Sequence, residues 1–139
     1  MVHPGHDSEE ALEAWQLSRL RPLLGHLRRR NRFYAPRLEA AGLDGQVASL
    51  ADFRARMPHT LKRELAEDQA AHPPYGTNLS APLEAYVRLH QTSSTSGTPL
   101  RWLDTAEGWS WMLDGWVNVL ERSGVRPDDR VLVATISLP

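Results

Sequence analysis

The sequence predicts an α/β fold in which a helical N-terminal segment precedes a strand–loop–strand and a βαβ unit. Between about residues 8 and 70, apolar residues recur every three or four positions, which is typical of helices. Across residues 83–139, short β-like runs flank one helix-length amphipathic stretch. We therefore expect the 139 residues to form one domain with a helical portion and a strand-containing portion.

The composition restricts the classes of function. Hydrophobic residues make up 41% of the chain and charged residues 24%, as in soluble globular domains. Sixteen basic and seventeen acidic residues nearly balance, so no overall field favours nucleic acid as a partner. No apolar stretch reaches the roughly 20 residues needed to span a bilayer, so no membrane partner is expected. The chain contains no cysteine, which fits a reducing compartment, and we expect a cytoplasmic protein.

The first predicted helix begins at a capping pair formed by Asp7 and Glu10. Pro22 lacks an N–H and its ring clashes with the preceding turn, which predicts a kink or a junction of two helices near residue 21. The apolar face of this helix consists of Leu12, Trp15, Leu20, Leu23, Leu24 and Leu27.

Two shorter helices and a loop complete the helical portion. Ser49 and Asp52 form a second capping pair, and Pro58 ends the helix that they begin. Thr60 is the predicted N-cap of the next helix. Residues 72–82 are rich in proline and glycine and predict a loop.

Two short strands are predicted on either side of a hydroxyl-rich loop. Residues 86–90 alternate in polarity, and residues 100–103 form a second β-like run. Strict alternation would place Tyr86, Arg88 and His90 on one face of the first strand. On that strand, we expect His90 to support the loop and not to act in catalysis.

A helix capped by Asp104 and Glu107 follows the second strand, and Gly124 is expected to end it in a left-handed cap. Residues 131–136 are almost wholly apolar, as in a strand covered on both faces, and complete the βαβ unit. Trp111 points away from the main stripe, so a partner chain could cover Trp111 and the C-terminal strand. The main stripe consists of Trp109, Met112, Leu113, Trp116, Val117 and Leu120.

The loop between the two strands has the chemistry of a phosphate cradle. Hydroxyls and successive backbone N–H groups can converge on an anion, and Gly97 permits a backbone geometry closed to other residues. The segment is not a G-x-x-x-x-G-K-[ST] phosphate loop. From the chemistry alone, a solvated linker and a phosphate cradle remain equally open. The candidate ligands are Ser93, Ser94, Thr95, Ser96, Gly97 and Thr98.

Residues 92–99, read as TSSTSGTP, resemble the Ser/Thr/Gly phosphate loop of the adenylate-forming enzymes. The surroundings resemble the phenylacetate–CoA ligase-like branch of that superfamily in four more motifs. In chain order, these are Phe33-Tyr34; Pro58, Thr60, Lys62 and Leu65; Tyr86, Arg88 and His90; and Gly124, Val125, Pro127, Asp129, Arg130 and Val131. The chain departs from the family pattern at Ser94, where glycine is frequent, and lacks the usual loop lysine, with Arg101 as the nearest cation.

The resemblance implies that residues 1–139 are the N-terminal portion of an AMP-binding domain, an incomplete adenylate-forming fold. It implies ATP with Mg²⁺ as cofactor, CoA as co-substrate and a small carboxylic acid as the group activated. Family members are roughly three times longer. Their adenine and ribose segments, most of the acyl pocket and the catalytic lysine lie outside these residues, so no catalytic residue is expected here. The alternative is a non-catalytic helical interaction module or truncated pseudoenzyme derived from the family.

No protein metal site is expected from the histidines. They are scattered, with no i, i+4 pair on a helix and no carboxylate pattern beside them. Any Mg²⁺ would therefore arrive with the nucleotide. The six histidines are His3, His6, His26, His59, His72 and His90.

Overall fold

The computed structural model describes residues 8–43, 47–92 and 99–132. Four helices precede a two-stranded antiparallel sheet and a fifth helix, which confirms the predicted order of a helical segment, a strand–loop–strand and a helix. The elements are α1 (Glu9–Arg30), α2 (Ala35–Ala40), α3 (Leu50–Arg56), α4 (Lys62–Ala71), β1 (Tyr86–Gln91), β2 (Arg101–Thr105) and α5 (Ala106–Arg122).

Helix α1 begins one residue later than the capping pair predicts. Ser8 is the N-cap, and its hydroxyl accepts a hydrogen bond from the Ala11 N–H at 3.2 Å. Asp7 lies outside the described residues. Pro22 lies inside a single continuous helix, so the prediction of two helices meeting near residue 21 is wrong.

None of the helices in the described part of the chain, including this longest one, is apolar enough over a sufficient length to cross a membrane.

The first core cluster joins the end of α1 to the turn after α2. Leu24, Leu38, Leu43 and Val47 are almost fully buried together. Gly42 adopts a left-handed conformation with φ 64°, and this allows the Leu43 N–H to donate to the Leu38 carbonyl at 2.8 Å. In contrast to the predicted stripe, Leu23 is 51% exposed, because the buried arc of α1 is narrower than the sequence pattern indicates.

Helix α3 begins as predicted, whereas α4 begins one residue later. Ser49 caps α3 through a hydrogen bond from the Asp52 N–H. The N-cap of α4 is Leu61 and not Thr60, because the Thr60 hydroxyl lies 3.2 Å from the Tyr34 hydroxyl instead. The Glu64 side chain satisfies the Leu61 N–H at 2.6 Å.

Glu64 also connects two helices electrostatically. Its carboxylate lies 3.2 Å from the guanidinium of Arg37 on α2. The hydrogen bond from the Leu61 N–H, together with the one from Arg37, lowers the pKa of Glu64 below its ordinary value. A lowered pKa means that this carboxylate stabilises the fold above its unfolded pKa and loses that contribution as the pH falls.

The two strands pair from Tyr86 opposite Thr105 to Gln91 opposite Arg101. β2 begins at Arg101 and not at Leu100, whose N–H donates to the Thr92 hydroxyl and not to a backbone carbonyl of β1. Leu100 is buried against Phe33 and Leu65 in the second core cluster. This single leucine connects the hairpin to the helical segment by hydrophobic packing. The exposed fraction of its surface is 3%.

Gln69 of α4 holds the start of β2 through both ends of its amide. Its Nε2 donates to the Arg101 carbonyl at 2.7 Å, and its Oε1 accepts from the Arg101 N–H at 3.0 Å. The two bonds imitate the pairing of a neighbouring strand and satisfy backbone groups at the edge of β2. The Arg101 guanidinium donates to the carbonyl of Pro74 at 3.0 Å, so the strand is also held from the 72–82 loop.

The N-cap of α5 is Thr105 and not Asp104. The Thr105 hydroxyl accepts from the Gly108 N–H at 3.1 Å, while the Asp104 carboxylate lies against the imidazole of His90. Gly124 ends the helix in a left-handed conformation with φ 81°, as predicted. The Val125 N–H donates to the Leu120 carbonyl at 3.0 Å and completes the cap.

No residue of α5 is fully buried, although its apolar stripe is more pronounced than those of α1 and α4. The predicted stripe is therefore real as a pattern, but within the described residues most of it is exposed, and Trp109 and Met112 are half-buried. Among the exposed members of the stripe, the exposed fraction ranges from 40% at Leu120 to 57% at Trp116. Val131 and Leu132 are exposed and not in a strand, and the rest of the predicted 131–136 strand lies outside the described residues.

Asn31 joins the end of α1 to the 72–82 loop and is 3% exposed. Its Nδ2 donates to the Asn78 side chain and to the Ser80 hydroxyl, both at 2.9 Å. Its Oδ1 accepts from the N–H groups of Phe33 and Tyr34 at 3.1 and 2.9 Å. All the hydrogen-bonding capacity of one buried side chain is thus used in holding the chain where it leaves α1.

Asn31→Ala is expected to lower the free energy of unfolding by about 1–3 kcal/mol, because it leaves the Phe33 and Tyr34 N–H groups without their acceptor. Asn118→Ala is the matched control. Asn118 donates to the carbonyl of Asp114, within α5, and its truncation is expected to change stability by less than about 0.5 kcal/mol. Urea unfolding followed by circular dichroism measures both, and equal losses would contradict the central role of Asn31.

Gln69→Ala is expected to accelerate hydrogen exchange at the Arg101 amide by about tenfold, because that N–H loses its acceptor. Gln16→Ala, on the exposed side of α1, is the control and should leave this amide unchanged. Exchange followed by NMR gives the readout residue by residue. Unchanged protection of Arg101 in Gln69→Ala would show that the side-chain bonds do not hold β2.

Candidate functional site

The six candidate ligands, Ser93, Ser94, Thr95, Ser96, Gly97 and Thr98, lie outside the described residues, but the structure describes both ends of their segment. The Thr92 N–H donates to the Leu100 carbonyl at 3.0 Å. The Leu100 N–H donates back to the Thr92 hydroxyl at 3.0 Å. Thr92 and Leu100, which flank residues 93–98 and Pro99 in the sequence, are thus paired with each other across the hairpin.

The closed end of the hairpin rests on the helical segment. Leu100 is packed in the second core cluster, and the next residue, Arg101, is held by Gln69 and Pro74. The loop that supplies Pro74 is itself fixed, because the Thr77 N–H and hydroxyl donate to the Asp68 carboxylate at 2.6 and 2.7 Å. Thr92 and Leu100 are therefore held by each other and by the helical segment, and this pair is called the braced base of the loop.

One face of the hairpin contacts α5 through a cluster of aromatic and charged side chains. The imidazole of His90 stacks on the indole of Trp109, with ring centroids 5.2 Å apart and planes inclined by 17°. Its Nε2 lies 3.1 Å from Oδ2 of Asp104 on β2. The guanidinium of Arg88 lies 4.0 Å from the centre of the Trp109 ring, a cation–π contact.

Tyr86 does not share the contacts of Arg88 and His90, so the prediction of one face for all three is wrong. The strand register shifts between Tyr86 and Arg88, which breaks the alternation on which the prediction depended. The Tyr86 hydroxyl instead accepts from the N–H groups of Ser80 and Ala81 at 2.9 and 3.1 Å.

Sequence reasoning missed two polar residues: Gln69, which holds the start of β2, and Asn31, which joins the end of α1 to the 72–82 loop. Gln69 lies on a polar helix with no motif around it, and its partner is 32 residues further along the chain. The local bonds of Asn31 could have been predicted from its position, because it follows the last turn of a helix and precedes the Phe33-Tyr34 pair. An asparagine at a helix C-terminus commonly bonds to the backbone ahead of it.

A groove of about 960 Å³ lies between α1, α3 and α5, apart from the hairpin. Trp111 forms part of its wall and is 69% exposed. The other apolar wall residues are Trp15, Leu20, Leu23, Leu50 and Phe53.

Among residues 8–43, 47–92 and 99–132, no group of three His, Asp or Glu side chains could hold a metal ion. His90 pairs with one carboxylate, Asp104, and His72 with another, Asp68, at 3.4 Å.

Comparison with known proteins places this arrangement among CoA ligases. No family model matches the chain. The phenylacetate–coenzyme A ligase of Escherichia coli K12 is 32% identical over 133 residues, which is 91% of this chain and 28% of the ligase. The ligase of the same name from Pseudomonas putida is 33% identical over 132 residues, again 91% of the chain and 28% of the relative. The chain thus spans between a quarter and a third of the length of these relatives.

Solved structures agree with the sequence comparison. A 2-hydroxyisobutyryl-CoA ligase in complex with 2-HIB-AMP and CoA, in its thioesterification state, superposes with a TM-score of 0.79 at 31% identity. The match covers 88% of this chain and 26% of that ligase. An open conformation of the same ligase gives a TM-score of 0.77 over 91% of the chain. By sequence and by fold, the chain is similar to the phenylacetate–CoA ligases and to this adenylate-forming 2-hydroxyisobutyryl-CoA ligase, and in fold it corresponds to the N-terminal part of the latter.

Proposed function

We propose that the chain is the front portion of an AMP-dependent acid–CoA ligase and that its loop binds the β- and γ-phosphates of ATP. The whole reaction joins a carboxylic acid to CoA and converts ATP to AMP and pyrophosphate. The proposed phosphate ligands are the hydroxyls and backbone N–H groups of Ser93, Ser94, Thr95, Ser96, Gly97 and Thr98. The relatives are named as CoA ligases, and the solved one holds 2-HIB-AMP and CoA.

The observation that carries the proposal is the braced base of the loop. Reciprocal bonds between Thr92 and Leu100 fix the distance between the two ends of residues 93–98. A loop with fixed ends loses less conformational entropy on binding than a free linker does. A solvated linker would gain nothing from such anchoring, and this favours the phosphate cradle over the linker.

The chemistry of the candidate ligands suits a triphosphate that brings its own Mg²⁺. Neutral hydroxyls and N–H groups donate to phosphate oxygens but do not neutralise their charge. Arg101, the nearest cation to the loop in the sequence, donates to the Pro74 carbonyl instead. Mg²⁺ is bound in such sites chiefly through the phosphates of its nucleotide, and it would supply the charge neutralisation here.

The remaining parts of the proposal depend on the relatives or on composition. Residues 1–139 would be the N-terminal portion of an AMP-binding domain, and the acid and CoA would bind mainly to parts of the enzyme beyond them. A cytoplasmic location rests on the absence of cysteine and is part of the proposal. The exposed stripe of α5 is the observation that favours the second candidate, a non-catalytic module whose partner chain covers Trp111 and this helix.

Titration with Mg·ATP is expected to change the tryptophan fluorescence in a saturable way, because Trp102 lies on β2 near the loop. A variant with alanine at positions 93–96 and 98 is expected to bind at least about tenfold more weakly, since it loses several donors of about 1 kcal/mol each. Ser18→Ala, on the exposed side of α1, serves as the control. A parent chain that shows no saturable response would favour the non-catalytic module.

These 139 residues alone are expected to show no pyrophosphate release with phenylacetate, ATP and CoA. In-line attack at the α-phosphate needs positioning and charge stabilisation that a triphosphate loop does not supply. A continuous pyrophosphate assay makes the measurement, with a full-length phenylacetate–CoA ligase as the positive control. Turnover well above background would contradict the assignment of the catalytic groups to other parts of the enzyme.

A further inference from the structure

We infer that His90 is the positioning residue of the phosphate loop, held by Asp104 and Trp109. The inference rests on the proposed function, because positioning matters only if residues 93–98 bind a ligand. It assigns a role to a side chain that does not itself contact the phosphates. The role is to fix the direction in which β1 enters the loop.

Two contacts of different kinds fix the His90 ring. Stacking on Trp109 at 5.2 Å restricts the plane of the imidazole, and the 3.1 Å contact between Nε2 and Asp104 restricts its rotation within that plane. One contact alone would leave the ring free to turn. Together the two contacts define a single orientation of the imidazole, and this restricts the backbone of β1 at His90.

The two partners come from different elements. Asp104 lies on β2, diagonally across the ladder from His90, since Arg88 is directly opposite Asp104 and Trp102 is opposite His90. Trp109 lies in the first turns of α5. His90 therefore connects β1 to both the second strand and the following helix at one point.

His90 lies close in sequence to the start of the loop, so the contacts that hold His90 also restrict the chain where it enters the loop. Two residues later Thr92 makes the reciprocal bonds with Leu100, and the candidate ligands begin immediately afterwards. Gln69 and Leu100 hold the exit of the loop on the β2 side. On the β1 side, the described residues offer His90 as the corresponding anchor.

The exposure of the cluster argues for positioning and against a role in global stability. The side chains of His90 and Asp104 are 43% and 36% exposed. Pairs at such exposed sites contribute little to the free energy of unfolding. Arg88 contacts the same indole at 4.0 Å, so the ring contacts would not disappear entirely without His90.

The test compares His90→Ala and His90→Gln with the exposed control His26→Ala. Hydrogen exchange is measured at the Thr92 and Leu100 amides, and Mg·ATP affinity by calorimetry on the same proteins. His90→Ala is expected to accelerate exchange at both amides and to weaken Mg·ATP binding, each by about fivefold. His90→Gln, whose amide can still donate to Asp104, should recover part of both losses. His26→Ala should match the parent.

The outcomes separate this inference from the proposed function. If the parent chain binds no Mg·ATP, the proposed function fails, and the exchange data alone then decide whether His90 orders the hairpin end. If the parent binds and His90→Ala binds equally well, the positioning role is overturned. It is also overturned if exchange accelerates uniformly over β1, β2 and α5, because that pattern indicates general destabilisation. Loss of binding without recovery in His90→Gln likewise contradicts a role through Asp104.

Discussion

The attachment of the hairpin to the helical segment is the constraint on which the candidate site depends. Leu100 provides the apolar part of this attachment by packing against Phe33 and Leu65. Gln69 provides the polar part through two bonds to the backbone of Arg101. A two-stranded hairpin is marginal by itself in water, so without these contacts the ends of residues 93–98 would have no fixed position. The helical segment before the hairpin thus fixes the position of the hairpin through these contacts.

The exposed helix α5 makes sense once the chain is compared with its relatives. The helix has a pronounced apolar stripe and yet no buried residue, a combination that is rare in a complete domain. The matched region is 28% of the phenylacetate–CoA ligases and 26% of the 2-hydroxyisobutyryl-CoA ligase in its thioesterification state. An uncovered stripe is therefore expected in a chain that corresponds to so small a part of its relatives.

The sequence was most informative where its signals were local. The Ser49 cap, the Gly124 cap and the two strands around the loop depend on neighbouring residues, and the structure confirms them. The caps placed at Thr60 and Asp104 were each wrong by one residue, because tertiary partners claim those side chains: the Tyr34 hydroxyl in one case and His90 in the other. The contacts of Gln69 with Arg101 and of Asn31 with Asn78 cross more than 30 residues, and no local pattern could reveal them, whereas the bonds of Asn31 to Phe33 and Tyr34 are local. The family resemblance succeeded because five motifs in order carry information that no single motif does.

The end of α5 has a consequence for the residues that follow it in the chain. The cap at Gly124 is succeeded at once by a turn in which the Asp129 N–H donates to the Arg126 carbonyl and the Asp129 carboxylate accepts from the Arg126 N–H. A connection with internal hydrogen bonds has few conformations to lose when its ends are brought together, so the entropy of loop closure is small. Val131 and Leu132 therefore follow α5 through a connection that has few conformations open to it.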